Sequence, residues 1–185
     1  MEEHMNRIQV LDQTTIDRIA AGEVVERPAS VVKELAENAI DARASRITIE
    51  IREGGISMLR ITDNGDGIAA SEVPLAFLRH ATSKIREASD LNELSSLGFR
   101  GEALSSIAAV SRVEMITKRR EEIAAFRYLI EGGREKIAEE IGAPDGTTII
   151  VRDLFYNTPA RAKFLKTPMT EAAIAASKTI DLFFI

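Results

Sequence analysis

Three polar side chains share one face of a predicted helix near the start of the chain. Glu34, Asn38 and Asp41 follow one another at i, i+4 and i+7, the spacing that aligns side chains along one side of a helix. A carboxylate there can take a proton from a water molecule, and a carboxamide oxygen can hold a hard cation. The same pattern is also typical of a solvated helix face, so this helix alone leaves both interpretations open.

A run of turn-forming residues, Asp63-Asn64-Gly65-Asp66-Gly67, follows a predicted strand. Asp, Asn and Gly are the usual residues of a tight turn, which is the simpler interpretation. Glycines also let backbone lie against a flat ligand, and a buried carboxylate can accept a hydrogen bond from an exocyclic amine such as that of adenine.

A third segment, Gly98-Phe99-Arg100-Gly101-Glu102, opens a predicted helix. Free backbone N–H groups at a helix start attract anions, glycines allow close approach, and Arg100 adds a fork of donors. A glycine-containing linker before a helix is the alternative. The chain has neither a Walker-type loop nor a strand followed by Gly-x-Gly-x-x-Gly, so a phosphate site here is of another design. Together the three segments supply the parts of an ATP site: a base, a metal ligand, a purine reader and a phosphate cradle.

The elements that position these residues are predicted from hydrophobic spacing. Helices are expected over 15–25 and over 30–41, with Pro28 as an interruption and Ser30 as the cap of the second helix. Gly54-Gly55 is expected to turn a strand at 47–51 into a returning strand at 56–62. The other expected elements are helices over 71–78, over 102–110 and from Pro159, strands at 113–117, 126–131 and 147–151, and a Gly132-Gly133 hairpin turn. This order predicts an α+β fold with a mixed, mostly antiparallel sheet.

Length and composition exclude several classes of protein. The 185 residues, 45% hydrophobic and 29% charged, indicate one folded domain over 1–185, with 1–5 as a tail or cloning remnant. The chain has no Cys, which excludes disulfide and thiol sites, and it has only two His, which excludes a His-rich metal site. A net charge of −5 argues against a chain that mainly coats nucleic acid. No membrane-length apolar run or signal peptide is present, so a cytoplasmic protein without a membrane partner is predicted.

Several motifs follow one another between about residues 6 and 170. They are Ile19 to Leu35 (IAAGEVVERPASVVKEL), Glu37-Asn38, Asp63-Asn64-Gly65-x-Gly67, Arg79 to Lys84 (RHATSK), Gly98 to Leu104 (GFRGEAL) and Leu154 to Arg161 (LFYNTPAR). In this order they resemble the MutL family of DNA mismatch repair proteins. The run through Pro28 and the Phe99 to Glu102 segment separate that family from its other ATPase relatives.

The resemblance implies a GHKL-type Mg²⁺-dependent ATPase domain, a two-layer α/β sandwich with helices over one face of a mixed sheet. It implies that Glu34 is the general base, that Asn38 is the Mg²⁺ ligand, that Asp63 reads the adenine amino group and that Gly67 lies beside the base. A lid over the phosphates would run from Arg79 to Glu102. The further implied ATP contacts are Ala42, Thr82, Ser83, Lys84, Gly98, Phe99, Arg100, Gly101, Glu102, Leu104 and Thr147.

The resemblance also implies partners: ATP or ADP, a second copy in the ATP state, and, through a full-length parent, DNA and other mismatch repair proteins. Nucleotide-driven dimerisation would couple mismatch recognition to strand removal. The family's second domain, which supplies a lysine to the γ-phosphate, is not in this sequence. A module that binds nucleotide without turnover is therefore the alternative function, and a folded core that binds no nucleotide is a third.

The chain departs from the family pattern at three places. Arg43 replaces a small residue and is expected to put a bulky side chain near the adenine side. Ala124-Ala125-Phe126 replaces a glycine-containing strand start, and the segment 171–185 is a shortened, atypical end.

Overall fold

The computed structural model describes residues 9–79 and 102–183. The helices within these ranges are α1 (Gln13–Val24), α2 (Pro28–Asp41), α3 (Val73–Ala76), α4 (Ala103–Ala109), α5 (Pro159–Ala162) and α6 (Pro168–Phe183). The strands are β1 (Ile47–Arg52), β2 (Met58–Asp63), β3 (Arg112–Lys118), β4 (Ala125–Glu131), β5 (Arg134–Ile141) and β6 (Gly146–Arg152).

The six strands form one sheet in the order β1-β2-β6-β3-β4-β5. Every neighbouring pair within it is antiparallel. The predicted α+β class and the antiparallel tendency are confirmed, whereas the expectation of a mixed sheet is wrong. The described strands contain no parallel pair because the last strand, β6, lies between β2 and β3, which run in the same direction.

Alternation along the strands separates a buried face from a charged face. Ile61, Ile149 and Met115 stand side by side on neighbouring strands and are buried with side chains from α1, α2, α4 and α6. The opposite face carries cross-strand ion pairs, such as Glu50 with Arg60. The helices that contribute to the core therefore pack on one face of the sheet, as predicted.

Some element boundaries differ from the sequence prediction. Helix α2 begins at Pro28 and not at Ser30, with Arg27 as its N-cap, because proline at the first helical position needs no N–H partner and has a suitable φ. Gly54 and Gly55 belong to a 3-10 turn with φ of +68° and +89°. The sequence does not predict strand β5, because β5 is a sheet edge and its exposed face removes the apolar alternation.

None of the helices in the described part of the chain combines the length and apolar character needed to cross a membrane. The predicted tail at 1–5 lies outside the described residues, as does most of the lid expected from Arg79 to Glu102.

Candidate functional site

Helix α2 carries the two residues expected to act at the phosphates. One side of the helix is buried in the core, while Glu34 and Asn38 are each half-buried. Ala42 caps its C-terminus, eight residues after Glu34, which corresponds to about 12 Å along the helix axis. The helix thus spans the distance between a candidate catalytic carboxylate and the region expected to hold the purine.

The end of α2 has the hydrogen-bond pattern of a Schellman motif. The N–H of Ala44 donates to the carbonyl of Ala39, and the N–H of Arg43 donates to that of Ile40. Arg43 has a φ of +59°, the conformation for which glycine is preferred at this position. Its guanidinium lies 2.8 Å from the Asp66 carboxylate, and its side chain is 83% exposed. The side chain of Arg43, which departs from the family pattern, therefore contacts Asp66 at the surface.

The turn after β2 is attached to the neighbouring segments by Asn64. The Asn64 Oδ1 accepts hydrogen bonds from the N–H groups of Ser45 and Arg46 at 3.0 and 2.8 Å. The N–H of Asp66 donates to the carbonyl of Ala42 at 2.9 Å. These contacts hold the turn beside the C-terminus of α2, so two sequence-separated motifs meet.

Asp63 is the half-buried carboxylate of this turn. Its Oδ1 accepts the N–H of Gly65 at 2.8 Å. Burial raises the pKa of the Asp63 carboxyl above its usual value, and hydrogen bonds from the backbone of Gly65 and Thr147 offset only part of this effect. A partly desolvated acceptor of this kind suits a donor on a flat ligand.

Two threonines continue the site across the sheet. Asp63 is paired with Thr147 on β6, and Thr147 is paired with Thr117 on β3. The two hydroxyls are 3.0 Å apart, and the Thr117 hydroxyl also accepts the N–H of Ile68 at 2.9 Å. The sequence alone does not point to Thr117, because its role depends on a partner 30 residues away.

The glycines of the turn are required by the protein's own backbone. A Cβ at Gly67, whose φ is +71°, would lie 2.2 Å from the carbonyl oxygen of Lys118, and one at Gly65 would lie 2.6 Å from that of Ala42. Close backbone packing thus explains both glycines, whatever they contribute to a ligand.

The structure brings Ala42, Asp63, Gly67 and Thr147 together at one end of the sheet. Glu102 immediately precedes α4, and Leu104 packs against the core from that helix. With Glu34 and Asn38, these are the expected site residues that the structure positions. The remaining expected contacts lie outside the described residues: Thr82, Ser83, Lys84, Gly98, Phe99, Arg100 and Gly101.

A cavity of about 330 Å³ lies elsewhere on the molecule. Its described lining comes from α1, α4, the β4–β5 turn and residues around Phe77, and it includes Arg79 and Arg134. None of the expected site residues is in this described lining. The residues grouped at the end of the sheet, Ala42, Asp63, Gly67 and Thr147, are therefore separate from the described lining of this cavity.

Comparison with known families shows which family the chain belongs to. A model described as "Histidine kinase-, DNA gyrase B-, and HSP90-like ATPase" matches residues 26–145. The chain belongs to this ATPase family.

Within this family the chain is similar to MutL proteins. It is 67% identical to the DNA mismatch repair protein MutL of Agathobacter rectalis over 169 residues, which are 91% of this chain and 26% of the relative. It is 57% identical to MutL of Symbiobacterium thermophilum, over 91% of this chain and 27% of that protein. The predicted resemblance to MutL is confirmed, and the chain spans about a quarter of the length of these relatives.

Solved structures agree with the sequence relatives. The "Aquifex aeolicus MutL ATPase domain complexed with ADP" is 32% identical and superposes with a TM-score of 0.63, covering 83% of this chain and 53% of that one. The "N terminal domain of a DNA repair protein" is 32% identical with a TM-score of 0.72, covering 87% and 46% of the two chains. The family fold is therefore an ATPase fold of the MutL type.

Proposed function

We propose that residues 1–185 form one ATPase domain that binds ATP with Mg²⁺ and hydrolyses it slowly. The observation that carries the proposal is the half-buried Asp63 carboxylate, which lies opposite Thr147 in a turn that is bonded to the end of α2. The solved structure of a similar MutL ATPase domain is described as complexed with ADP, which supports nucleotide as the ligand.

The purine would lie at the Asp63 end of the site. The exocyclic amine of adenine donates hydrogen bonds, and a carboxylate accepts them. Guanine carries a carbonyl oxygen at the corresponding ring position, which the carboxylate would repel. Ala42 accepts the N–H of Asp66, Gly67 belongs to the same turn, and Thr147 is paired with Asp63, so we assign these three residues to the purine end.

The phosphates would lie along α2 toward Glu34. In the proposed reaction a water oxygen bonds to the γ-phosphorus, the bond to the β,γ-bridging oxygen breaks, and ADP leaves. The Glu34 carboxylate takes the proton from the attacking water. We assign Glu102 and Leu104 to the same region, together with Thr82, Ser83, Lys84 and the Gly98 to Gly101 segment.

Mg²⁺ fits the donor set of this region. Asn38 is half-buried on α2, four residues after Glu34, and offers a carboxamide oxygen. Mg²⁺ is commonly held by few protein oxygens together with nucleotide phosphates and water. When bound, it would neutralise charge that develops on the phosphates. Within the described ranges, the Asn38 oxygen is the ligand that we assign to it.

A second function is favoured by the extent of the match. The 185 residues align with 53% of the Aquifex aeolicus MutL ATPase domain. If hydrolysis needs parts of such a domain beyond the aligned ones, these 185 residues bind nucleotide without turnover. Self-association in the ATP state, contacts with DNA and with other repair proteins, and a cytoplasmic location are proposals for the whole protein.

Calorimetric titration with ADP and with a non-hydrolysable ATP analogue, each with and without Mg²⁺, tests binding. Saturable binding that Mg²⁺ strengthens is expected for both functions, and hydrolysis then separates them. We expect Glu34→Ala to lower hydrolysis by at least about 100-fold, because a positioned general base contributes that much, while the Kd of ADP stays within about twofold.

The matched control is Glu50→Ala, which removes a carboxylate from the charged face of the sheet and leaves hydrolysis unchanged. Equal hydrolysis by Glu34→Ala and the unsubstituted chain would exclude Glu34 as the base. Nucleotide binding without measurable turnover would establish the second function.

A further inference from the structure

Glu37 is a buried acid on α2 that the proposed reaction does not use. It is 4% exposed, and its Oε2 has no hydrogen-bond partner among the described residues. Its Oε1 lies 3.1 Å from the Nζ of Lys33, one helical turn earlier. Burying a carboxylate with one oxygen unsatisfied costs free energy. A role for the other oxygen in holding Lys33 would explain why a glutamate lies at position 37.

Lys33 contacts a second acid at the same time. Its Nζ lies 3.7 Å from the Oε1 of Glu34, whose side chain is 26% exposed. Adjacent residues on a helix do not face each other. Lys33 therefore contacts Glu34 only when the Lys33 side chain leans around the helix toward Glu34. Glu37, at i+4, lies where it can hold the lysine in that direction.

The ionisation of Lys33 agrees with this geometry. Partial burial lowers the pKa of Lys33, but the hydrogen bond and charge of Glu37, together with Glu34, raise it overall. The ammonium group therefore stays charged between two carboxylates.

We propose that Lys33, anchored by Glu37, is a positioning residue that fixes the direction of the Glu34 carboxylate. The inference rests on the proposed role of Glu34 as the base. A glutamate has three rotatable side-chain bonds, and a base must lie within hydrogen-bond reach of the attacking water. Glu37 holds the Lys33 side chain, and Lys33 in turn holds the Glu34 carboxylate. This restricts the side-chain rotamers of Glu34 before nucleotide binds.

The first test measures the orientation of Glu34 without nucleotide or turnover. Three-bond couplings from the backbone N and C′ of Glu34 to its Cγ report the χ1 distribution by NMR. We expect one dominant χ1 rotamer in the unsubstituted chain, averaged couplings in Lys33→Met, and recovery in Lys33→Arg. Glu37→Gln should give intermediate values, because an amide oxygen accepts from Lys33 but carries no charge. Lys163→Met, which removes an exposed lysine from the end of α5, is the matched control.

The second test measures turnover with the same variants. We expect Lys33→Met to lower kcat by about threefold to fivefold, as a half-exposed ion pair allows, with the Kd of ADP unchanged and with rescue by Lys33→Arg. Unchanged couplings in Lys33→Met would overturn the proposal, and so would averaged couplings with full kcat. A chain without any turnover would contradict the proposed hydrolysis, and the couplings would then decide the role of Lys33 alone.

Discussion

Burial raises the pKa of the Asp63 carboxyl above its ordinary value of 3.8, which has a consequence for stability. Between pH 3.8 and the raised pKa, the folded state holds a proton that the unfolded state has released. The favourable contribution of this protonated carboxyl is present below pH 3.8 and is lost as the pH rises through the folded pKa. The raised pKa of Asp63 therefore lowers the free energy of unfolding at pH values above 3.8, compared with its value below pH 3.8.

We expect Asp63→Asn to increase the free energy of unfolding at pH 7 and to have little effect at about pH 3.5, below the ordinary carboxyl pKa. Chemical denaturation at the two pH values measures this difference. Asp66→Asn, at an exposed carboxylate of the same turn, serves as a control and should give no increase at neutral pH. An equal increase for Asp63→Asn at both pH values would show that the effect is not one of charge.

At this scale the sequence places Asp63 and Asn64 in one turn but does not show which contacts each side chain makes. The sequence of the Asp63 to Gly67 segment fits either a plain turn or a purine-binding site. In the structure, Asn64 suits the first role and Asp63 suits the second. Asn64 makes the turn contacts, while Asp63 has only its Oδ1 bonded to the turn. The partners of Asn64 are 18 and 19 residues earlier, and residue types do not indicate such long-range pairs.

At the scale of elements, the end of α2 is strained at one residue. Arg43 occupies the position of a Schellman motif where glycine is preferred, at a φ of +59°. We expect Arg43→Gly to stabilise the protein by about 1 kcal/mol in an Asp66→Asn background, because a left-handed backbone costs a side chain about that much. With Asp66 present, the increase in stability should be smaller, because Arg43→Gly then also removes an exposed ion pair that contributes about 0 to 1 kcal/mol. Thermal unfolding of the four variants forms a double-mutant cycle, and a loss of stability in the Asp66→Asn background would contradict the strain argument.

The turn after β2 is tested by a matched pair of glycines. Gly67 and Gly133 both have positive φ, but only Gly67 has backbone within reach of an added Cβ. Gly133→Ala should cost about 1 kcal/mol, the conformational term alone. Gly67→Ala should cost at least about 1 kcal/mol more, because β3 or the turn must shift to accommodate it, and ADP binding should weaken as well. Equal unfolding free energies for the two variants would exclude the close contact with Lys118.

Elements whose pattern reflects burial were predictable, and the others were not. β1 alternates Ile with polar residues because one side of it packs on the core. β5 has no such alternation, since it is an exposed edge. The sequence prediction starts α2 two residues late because it treats Pro28 as an interruption, although Pro28 is the first helical residue.

At the scale of the whole molecule, nucleotide should stabilise the fold as one unit. A ligand that binds only the folded state at about 100 times its Kd adds about 2.7 kcal/mol to the free energy of unfolding. We expect ADP to raise the melting temperature of the chain accordingly and to have little effect on Asp63→Asn. GDP at the same concentration is the control for adenine recognition. If ADP raised the melting temperature of Asp63→Asn as much as that of the unsubstituted chain, the assignment of the purine to Asp63 would be excluded.

The family, and with it the general fold, was recognisable from ordered motifs, whereas the strand order was not. β6 resembles other buried strands, with apolar residues on both faces, and its sequence does not indicate which strands it joins. Its place beside β2 is what brings Thr147 to Asp63. The expected site residues therefore came from motifs, and their proximity comes from topology.

The position of β6 also governs how the chain is made. Until residues 146–152 leave the ribosome, none of the described strands joins the β1–β2 hairpin to the β3-β4-β5 meander. Each of these half-sheets then has an unpaired edge, the kind of surface that invites pairing with other chains. Translation of β6 closes both edges in one step, with contacts far apart in sequence, which favours slow completion of the sheet. The same strand carries Thr147, so the pairing of Thr147 with Asp63 in the candidate site forms only when the sheet becomes continuous.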